Sequence, residues 1–222
     1  MLRILYYVPE LSIGGTEKQL LHLVRGLDRR SFDPAVWCPG RRGPLERQLE
    51  DAGAAILRGN IEPADIFHSF SYCRNASDVL AARTAGIPIV ITTRRNLRHW
   101  DRSGCLGSWE LQRNRATDLV IANCRAVASL CARVERIPYY EIRMIYNGVA
   151  IPRAGTAYRD LRRELGLSPG SLLVGNVANL KPVKGQDTLL RAFHCVTGRL
   201  PEVWSFAVMG PAGKSYIACA NR

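Results

Sequence analysis

The chain opens with an apolar and aromatic run, Leu2–Val8, which has the length and composition of a buried strand. A loop from Pro9 to Gly15 follows. Leu20, Leu21, Leu23, Val24 and Leu27 then recur at helical spacing, which predicts a helix with one buried face. Thr16, with Gln19 three residues later, reads as a capping box at the start of that helix. Strand, glycine loop and helix form the opening of a parallel α/β domain.

The alternation then repeats. Strands are predicted at Pro34–Cys38, Ala55–Leu57, Ile66–Ser69, Ile87–Thr93, Leu119–Ala122 and Arg143–Tyr146. Helices fall between them at Pro44–Ala52, Asp78–Ala85, Trp109–Ala116 and Ala126–Val134. The β-branched run Ile87–Thr93 fits a central parallel strand covered on both faces. Pro152 to Thr156 reads as a linker. A second unit then starts, with helix Tyr158–Leu165, strand Leu172–Val177, helix Asp187–Val196 and strand Trp204–Met209. The expected organisation is one domain over 1–152 and the start of another over 153–222. Two strands and two helices do not close a parallel α/β domain, so the second unit is expected to be incomplete.

Composition narrows the class. Of 222 residues, 47% are hydrophobic and 23% charged, which excludes disorder and collagen-like structure. No apolar run reaches the roughly 18–20 residues of a membrane span. Met1–Val8 is too short for a signal peptide, so a soluble cytoplasmic protein is expected. The seven cysteines are odd in number and none has C-x-x-C spacing, so neither a disulfide framework nor a structural zinc site is expected. No His, Asp and Glu cluster has metal-ligand spacing either.

The net charge of +12 points to anionic partners: phosphates, nucleic acid or an anionic membrane surface. Recognition-helix, zinc-finger and RNA-binding aromatic signatures are missing, so nucleic acid is not expected. The densest basic run is Arg94, Arg95, Arg98 and Arg102 around His99 and Trp100. It reads either as a solvated loop or as a contact for an anion.

Three loops could carry phosphate chemistry. Gly14-Gly15 precedes a helix N-terminus, where free N–H groups and a partial positive charge suit an anion, although a tight turn needs the same glycines. Asn179-Leu180-Lys181-Pro182-Val183-Lys184-Gly185 follows a strand, at the end where open α/β sheets bind ligands. Gly210-Pro211-Ala212-Gly213-Lys214-Ser215 ends like a Walker A loop but has Val208 where that motif needs its first glycine. His68, at the end of its strand, is expected to face a cleft.

These pieces occur together in a known order. Leu5-Tyr6-Tyr7-Val8-Pro9-Glu10-Leu11-Ser12-Ile13-Gly14-Gly15-Thr16-Glu17 resembles the start of the family 4 glycosyltransferases. Asp65-Ile66-Phe67-His68 resembles that family's Asp-x-x-His strand, and Ile145-Tyr146-Asn147-Gly148-Val149 resembles its I-x-N-G-V segment. Lys184-Gly185, Thr188-Leu189-Leu190 and Ala192-Phe193 resemble its K-G-x-x-x-L-L-x-A-F segment.

The resemblance implies the GT-B fold of two Rossmann-like domains. It also implies retaining transfer of a sugar from a nucleotide diphosphate sugar, with no metal or other cofactor. By position, Gly14, Gly15, Asn179, Lys181 and Lys184 would bind the donor, with Lys184 stabilising the leaving diphosphate. His68, Arg94, Arg95 and Arg98 would lie on the acceptor side, toward a phosphate-bearing or lipid-linked acceptor or an anionic membrane. Cell-surface polysaccharide or glycoconjugate synthesis is the setting this implies.

Three positions depart from the family pattern: Asn179 stands where many members have Arg, Arg94 stands where many have His, and the Glu-x7-Glu segment is missing. The last departure leaves open a truncated, inactive fragment or an acceptor-binding module.

Overall fold

In a computed structural model, the structure describes residues 1–70, 76–97, 106–151, 160–164, 166–170, 172–178, 182–197 and 203–208. The chain divides into two compact units, Met1–Ala150 and Ile151–Arg222.

The first unit is a parallel sheet of seven strands: β1 (Leu2–Tyr7), β2 (Phe32–Trp37), β3 (Ala55–Leu57), β4 (Ile66–Ser69), β5 (Ile89–Arg94), β6 (Leu119–Ala122) and β7 (Ile142–Met144). Their spatial order is β3-β2-β1-β4-β5-β6-β7. The connecting helices are α1 (Gly15–Gly26), α2 (Leu45–Asp51), α3 (Ser77–Thr84), α4 (Ser108–Arg115) and α5 (Arg125–Arg133).

Period-two alternation along β1 sorts the core into two layers. Ile4, Tyr6 and Val8 pack with Leu20, Leu21 and Val24 of α1 and with Leu45 and Leu49 of α2. Leu5 and Tyr7 face the other way, with Phe67, Val90 and the α3 residues Val79 and Ala82. A third cluster joins Val120 and Ala122 of β6 to Val127 and Cys131 of α5 and Ile142 of β7. Thus α1 and α3, which follow adjacent strands β1 and β4, cover opposite faces. The strand order reverses there, which opens a crevice beyond the carboxyl ends of β1 and β4.

Pro34 lies within β2, although proline cannot donate to a ladder. Its position is permitted because β3 begins its pairing at Ala35, one residue later. Toward β1, Pro34 sits opposite Ile4.

Two buried ionic groups were not anticipated from sequence. Arg113 of α4 reaches Asp78 of α3 through both oxygens, Nη1 to Oδ1 at 2.6 Å and Nη2 to Oδ2 at 3.1 Å. Ser69, at the end of β4, accepts from Arg113 Nη2 at 2.9 Å and donates to Asp78. The second group joins Arg94 Nε to Glu135 Oε2 at 2.9 Å. Together they lock α3, α4 and the end of α5 to the sheet.

The second unit contains α6 (Leu161–Glu164), β8 (Leu172–Val177), a 3-10 turn at Pro182–Lys184, α7 (Gln186–Thr197) and β9 (Val203–Val208). Strands β8 and β9 pair in parallel from Leu172 opposite Val203 to Val177 opposite Val208.

Candidate functional site

The first unit holds a cleft of about 280 Å³ at the carboxyl end of its sheet. Its wall comes from Gln19, His22 and Leu23 of α1, and its rim from Ile145, Tyr146, Asn147 and Gly148. The floor comes from three strand ends: His68 and Phe70 at β4, Thr93 and Arg95 at β5, Ile121 and Asn123 at β6. Each pair is spaced by two, so strand alternation alone puts it on one face. That face is the α1 face, because His68 stacks with Tyr6, ring centroids 5.6 Å apart.

Alternation also separates neighbouring arginines. Arg94 shares a face with Thr92 and turns into the protein, 3% exposed at the side chain against a fully buried Glu135. Its Nη1 donates to Thr92 Oγ1 and its Nη2 to Asn114 Oδ1, each at 2.9 Å. The expectation of Arg94 on the acceptor side is therefore corrected: buried pairing, not the cleft, takes its charge. Arg95 shares the face of Thr93 and lines the cleft. Its guanidinium lies 4.7 Å above the Phe70 ring, and Nη1 donates to Asn147 Oδ1 at 2.8 Å. Burial pushes its pKa down to about 10, with Glu17 opposing the shift, so it remains a cation at neutral pH.

His68 is buried and shares a 2.7 Å hydrogen bond between Nε2 and Thr93 Oγ1. Burial, with the Arg95 charge adding to it, lowers its pKa to about 3. At neutral pH its imidazole is uncharged, and His68 serves the cleft as a hydrogen-bonded floor residue.

The loop before α1 differs from its sequence reading. Gly14, extended at φ −133 and ψ 169, is the N-cap, and the helix starts at Gly15. Thr16 lies inside the first turn, so the expected Thr16–Gln19 capping box does not form. Instead the Glu17 carboxylate folds back against Gly14 and onto its own backbone N–H, where the helix dipole favours negative charge. Burial raises the Glu17 pKa, with Glu10 adding to the shift and Arg95 opposing it. A Cβ on Gly14 would run into that carboxylate, whereas one on Gly15 would meet nothing within 4 Å. Gly15 thus leaves open space beside the helix N-terminus. Gln19, released from capping, turns to Gly148.

In the second unit Lys184 is exposed at the end of its 3-10 turn, and Gly185 follows at φ +65, a conformation that favours glycine. Asn179, Lys181 and Arg98 lie outside the described residues, as do Trp100, Arg102 and Gly210–Ser215. Among the described residues no group of three His, Cys, Asp or Glu could hold a metal ion. Cys38 and Cys131 are buried, Cys124 half-buried and Cys195 exposed, and all four are free thiols. No helix of the described residues is long and apolar enough to cross a membrane.

The sequence model of Glycosyltransferase Family 4 matches residues 13–153, which span α1, the cleft and the end of the first unit. The chain belongs to that family. A D-inositol 3-phosphate glycosyltransferase from Actinosynnema mirum is 29% identical over 189 residues. That match takes in 76% of this chain and 45% of the relative, so the chain spans less than half of that protein's length.

Among solved structures, Anabaena Alr3699/HepE in complex with UDP and glucose superposes with a TM-score of 0.70 at 19% identity, over 93% of this chain and 61% of that one. A glycosyltransferase from Rickettsia africae gives 0.68 at 15% identity, over 95% of this chain and 61% of its own. The parallel sheet with helices on both faces is the Rossmann-like architecture of these GT-B neighbours.

Proposed function

We propose that the protein transfers a sugar from a nucleotide diphosphate sugar to an acceptor, and that the cleft of the first unit receives the acceptor. The observation that carries this reading is the coincidence of two features: the family match over residues 13–153 and a cleft within that span, at the crevice where the strand order reverses. The names of similar proteins support it. One acts as a D-inositol 3-phosphate glycosyltransferase, and another was crystallised with UDP-glucose.

In this reading the bond between sugar C1 and the diphosphate oxygen breaks, and a bond from C1 to the acceptor hydroxyl oxygen forms. The electron pair leaves with the diphosphate and the hydroxyl proton is released. Configuration at C1 is retained. Negative charge grows on the leaving group, where a fixed ammonium lowers the barrier most, and Lys184 is assigned that task with Asn179 and Lys181 beside it in sequence. The open space at Gly15 lets donor oxygens come close to the α1 N-terminus. The acceptor side consists of His68, Thr93, Arg95 and Asn123. Cell-surface glycoconjugate synthesis, with the basic chain at an anionic membrane face, is the setting we assign. No cofactor beyond the nucleotide sugar is required.

The test is release of nucleoside diphosphate by the full-length protein, scanned over UDP-, GDP- and ADP-sugars with polyol acceptors. Product configuration is read by proton NMR of the anomeric centre. Release that depends on an acceptor supports the reading. Absence of release from every donor would reject it.

A further inference from the structure

The segment from Pro9 to Ile13 carries the chain from β1 to Gly14 and Gly15, and residues 37–45 hold it from the side. The Val8 N–H donates to the Trp37 carbonyl at 3.2 Å, and the Leu11 N–H donates to the Arg41 carbonyl at 3.3 Å. The Leu11 side chain is fully buried, in the cluster that contains Leu45 and Leu49 of α2. Two glycines make this close approach possible. A Cβ on Gly40 would run into the Pro9 carbonyl, and a Cβ on Gly43 would run into the Leu11 carbonyl, with the Ser12 nitrogen 3.0 Å away. Neither glycine has a positive φ, so lack of room, not backbone conformation, is what requires glycine there. Both obstacles are backbone atoms, which cannot swing aside as the end of a side chain can. Gly26 and Gly59 are the contrast, with open space where a Cβ would stand.

Residues 38–43 are held in turn from β3 and the residue after it. The Cys38 N–H donates to the Leu57 carbonyl at 2.9 Å. Arg58 Nη1 donates to the Cys38 carbonyl at 3.5 Å and to the Gly40 carbonyl at 3.1 Å, and Nη2 pairs with Glu46 Oε2 at 2.5 Å. Hydrogen bonds from a charged donor are about twice as strong as neutral ones, so Arg58 is an effective buckle on this loop. The ends of β3, β2 and β1, neighbours in the sheet, thus form a stack in which each sets the next. Gly14 and Gly15 are its last members.

We infer that Gly40 and Gly43, fastened by Arg58, are positioning residues for Gly14 and Gly15: they set where the α1 N-terminus meets the donor phosphates without touching the donor themselves. The inference rests on the donor reading of Gly15 and adds the residues that hold it in place. Gly43 has the stronger leverage, because only Ile13 separates Ser12 from Gly14. The space beside Gly15 is assigned to oxygens of the leaving diphosphate. A shift there is therefore felt by the terminal phosphate, which bears the sugar, and spares a nucleoside monophosphate.

The experiment compares the full-length protein with Gly43→Ala, Gly40→Ala, Arg58→Gln and the control Gly26→Ala. Amide NMR follows Gly14 and Gly15, and calorimetric titration measures UDP against UMP, GDP against GMP and ADP against AMP. Gly43→Ala should shift both amides and lower the preference for diphosphate over monophosphate about tenfold. Gly40→Ala and Arg58→Gln should give smaller losses in the same direction, and Gly26→Ala should give none. A merely structural role weakens both nucleotides alike and leaves their ratio unchanged. Thermal melts check the fold. If Gly43→Ala does not fold, Arg58→Gln decides, because it removes hydrogen bonds without forcing an atom into the loop.

Unshifted Gly14 and Gly15 amides in Gly43→Ala and Arg58→Gln would overturn the inference. Shifted amides with an unchanged ratio of diphosphate to monophosphate affinity would also overturn it, while leaving glycosyl transfer intact. Shifted amides in a protein that binds none of these nucleotides would uphold the positioning of Gly14 and Gly15 and count against the donor reading alone.

Discussion

Gln19 and Gly148, 129 residues apart in sequence, exchange two hydrogen bonds: Gln19 Nε2 donates to the Gly148 carbonyl at 2.7 Å, and the Gly148 N–H donates to Gln19 Oε1 at 3.1 Å. One side chain thus meets both polar groups of a single peptide residue. Beside it Arg95 holds Asn147. The rim of the cleft is therefore fastened to α1 and to the end of β5 by two side chains that also line the cleft.

Gln19→Ala should free that rim without unfolding the domain. The expected result is faster exchange of the Gly148 amide by hydrogen-exchange NMR, with global stability lowered by at most about 1–3 kcal/mol for two partly exposed hydrogen bonds. Unchanged Gly148 protection would show that the clasp does not hold in solution.

Removing one member of the buried Asp78–Arg113 pair should be expensive. Asp78→Asn keeps the shape but leaves the Arg113 charge uncompensated in a site where both side chains are 0% exposed. A loss of about 3–5 kcal/mol is expected in urea unfolding. Glu62→Gln, which breaks the exposed pair with Arg3, should cost under about 1 kcal/mol. Similar losses for the two variants would contradict the burial assigned to Asp78.

Much of this was legible in the chain before the structure. Ile66–Ser69, Leu119–Ala122 and Leu172–Val177 are strands with those bounds, because short apolar runs between turn residues leave little choice. His68 reaches the cleft, as its strand-end position suggested. Arg94 and Arg95 could have been told apart by alternation, since 93 and 95 share one face and 92 and 94 the other. Reading them as one basic run hid that difference.

Other features had no local signal. Asp78 and Arg113 sit on separate helices, where charges ordinarily face water, and only tertiary packing buries them together. Thr16 and Gln19 match a capping pattern, yet Gly14 can take the N-cap backbone and so starts the helix earlier. Gln19 then finds a partner that no sequence window contains.

His68 makes stability depend on pH in a defined direction. Its pKa is about 3 in the folded state and about 6.5 when unfolded, so below pH 6.5 the unfolded chain binds a proton that the folded chain does not. Stability should fall with pH through that window, approaching roughly 1.4 kcal/mol per unit. His68→Gln should flatten this component between pH 6.5 and 5, above the range of ordinary carboxylates. Parallel stability curves for the two proteins would refute the assignment.

The two glycines before α1 should respond differently to alanine. Gly15→Ala enters open space in a helix and should stabilise the fold by about 0.5–1 kcal/mol. It should nevertheless weaken nucleotide-sugar binding, because the space it fills is the one assigned to donor oxygens. Gly14→Ala must first displace the Glu17 carboxylate and should give no such gain. Calorimetric melts with and without nucleotide sugar separate the two effects.

Donor-dependent release of nucleoside diphosphate, compared between the full-length protein and its Lys184→Ala variant, bears most directly on the proposed glycosyl transfer. The account predicts release from at least one nucleotide diphosphate sugar, saturable in acceptor, with kcat lowered roughly 10²–10³-fold by the substitution. Release that is unchanged in Lys184→Ala, or absent with every donor, would contradict it.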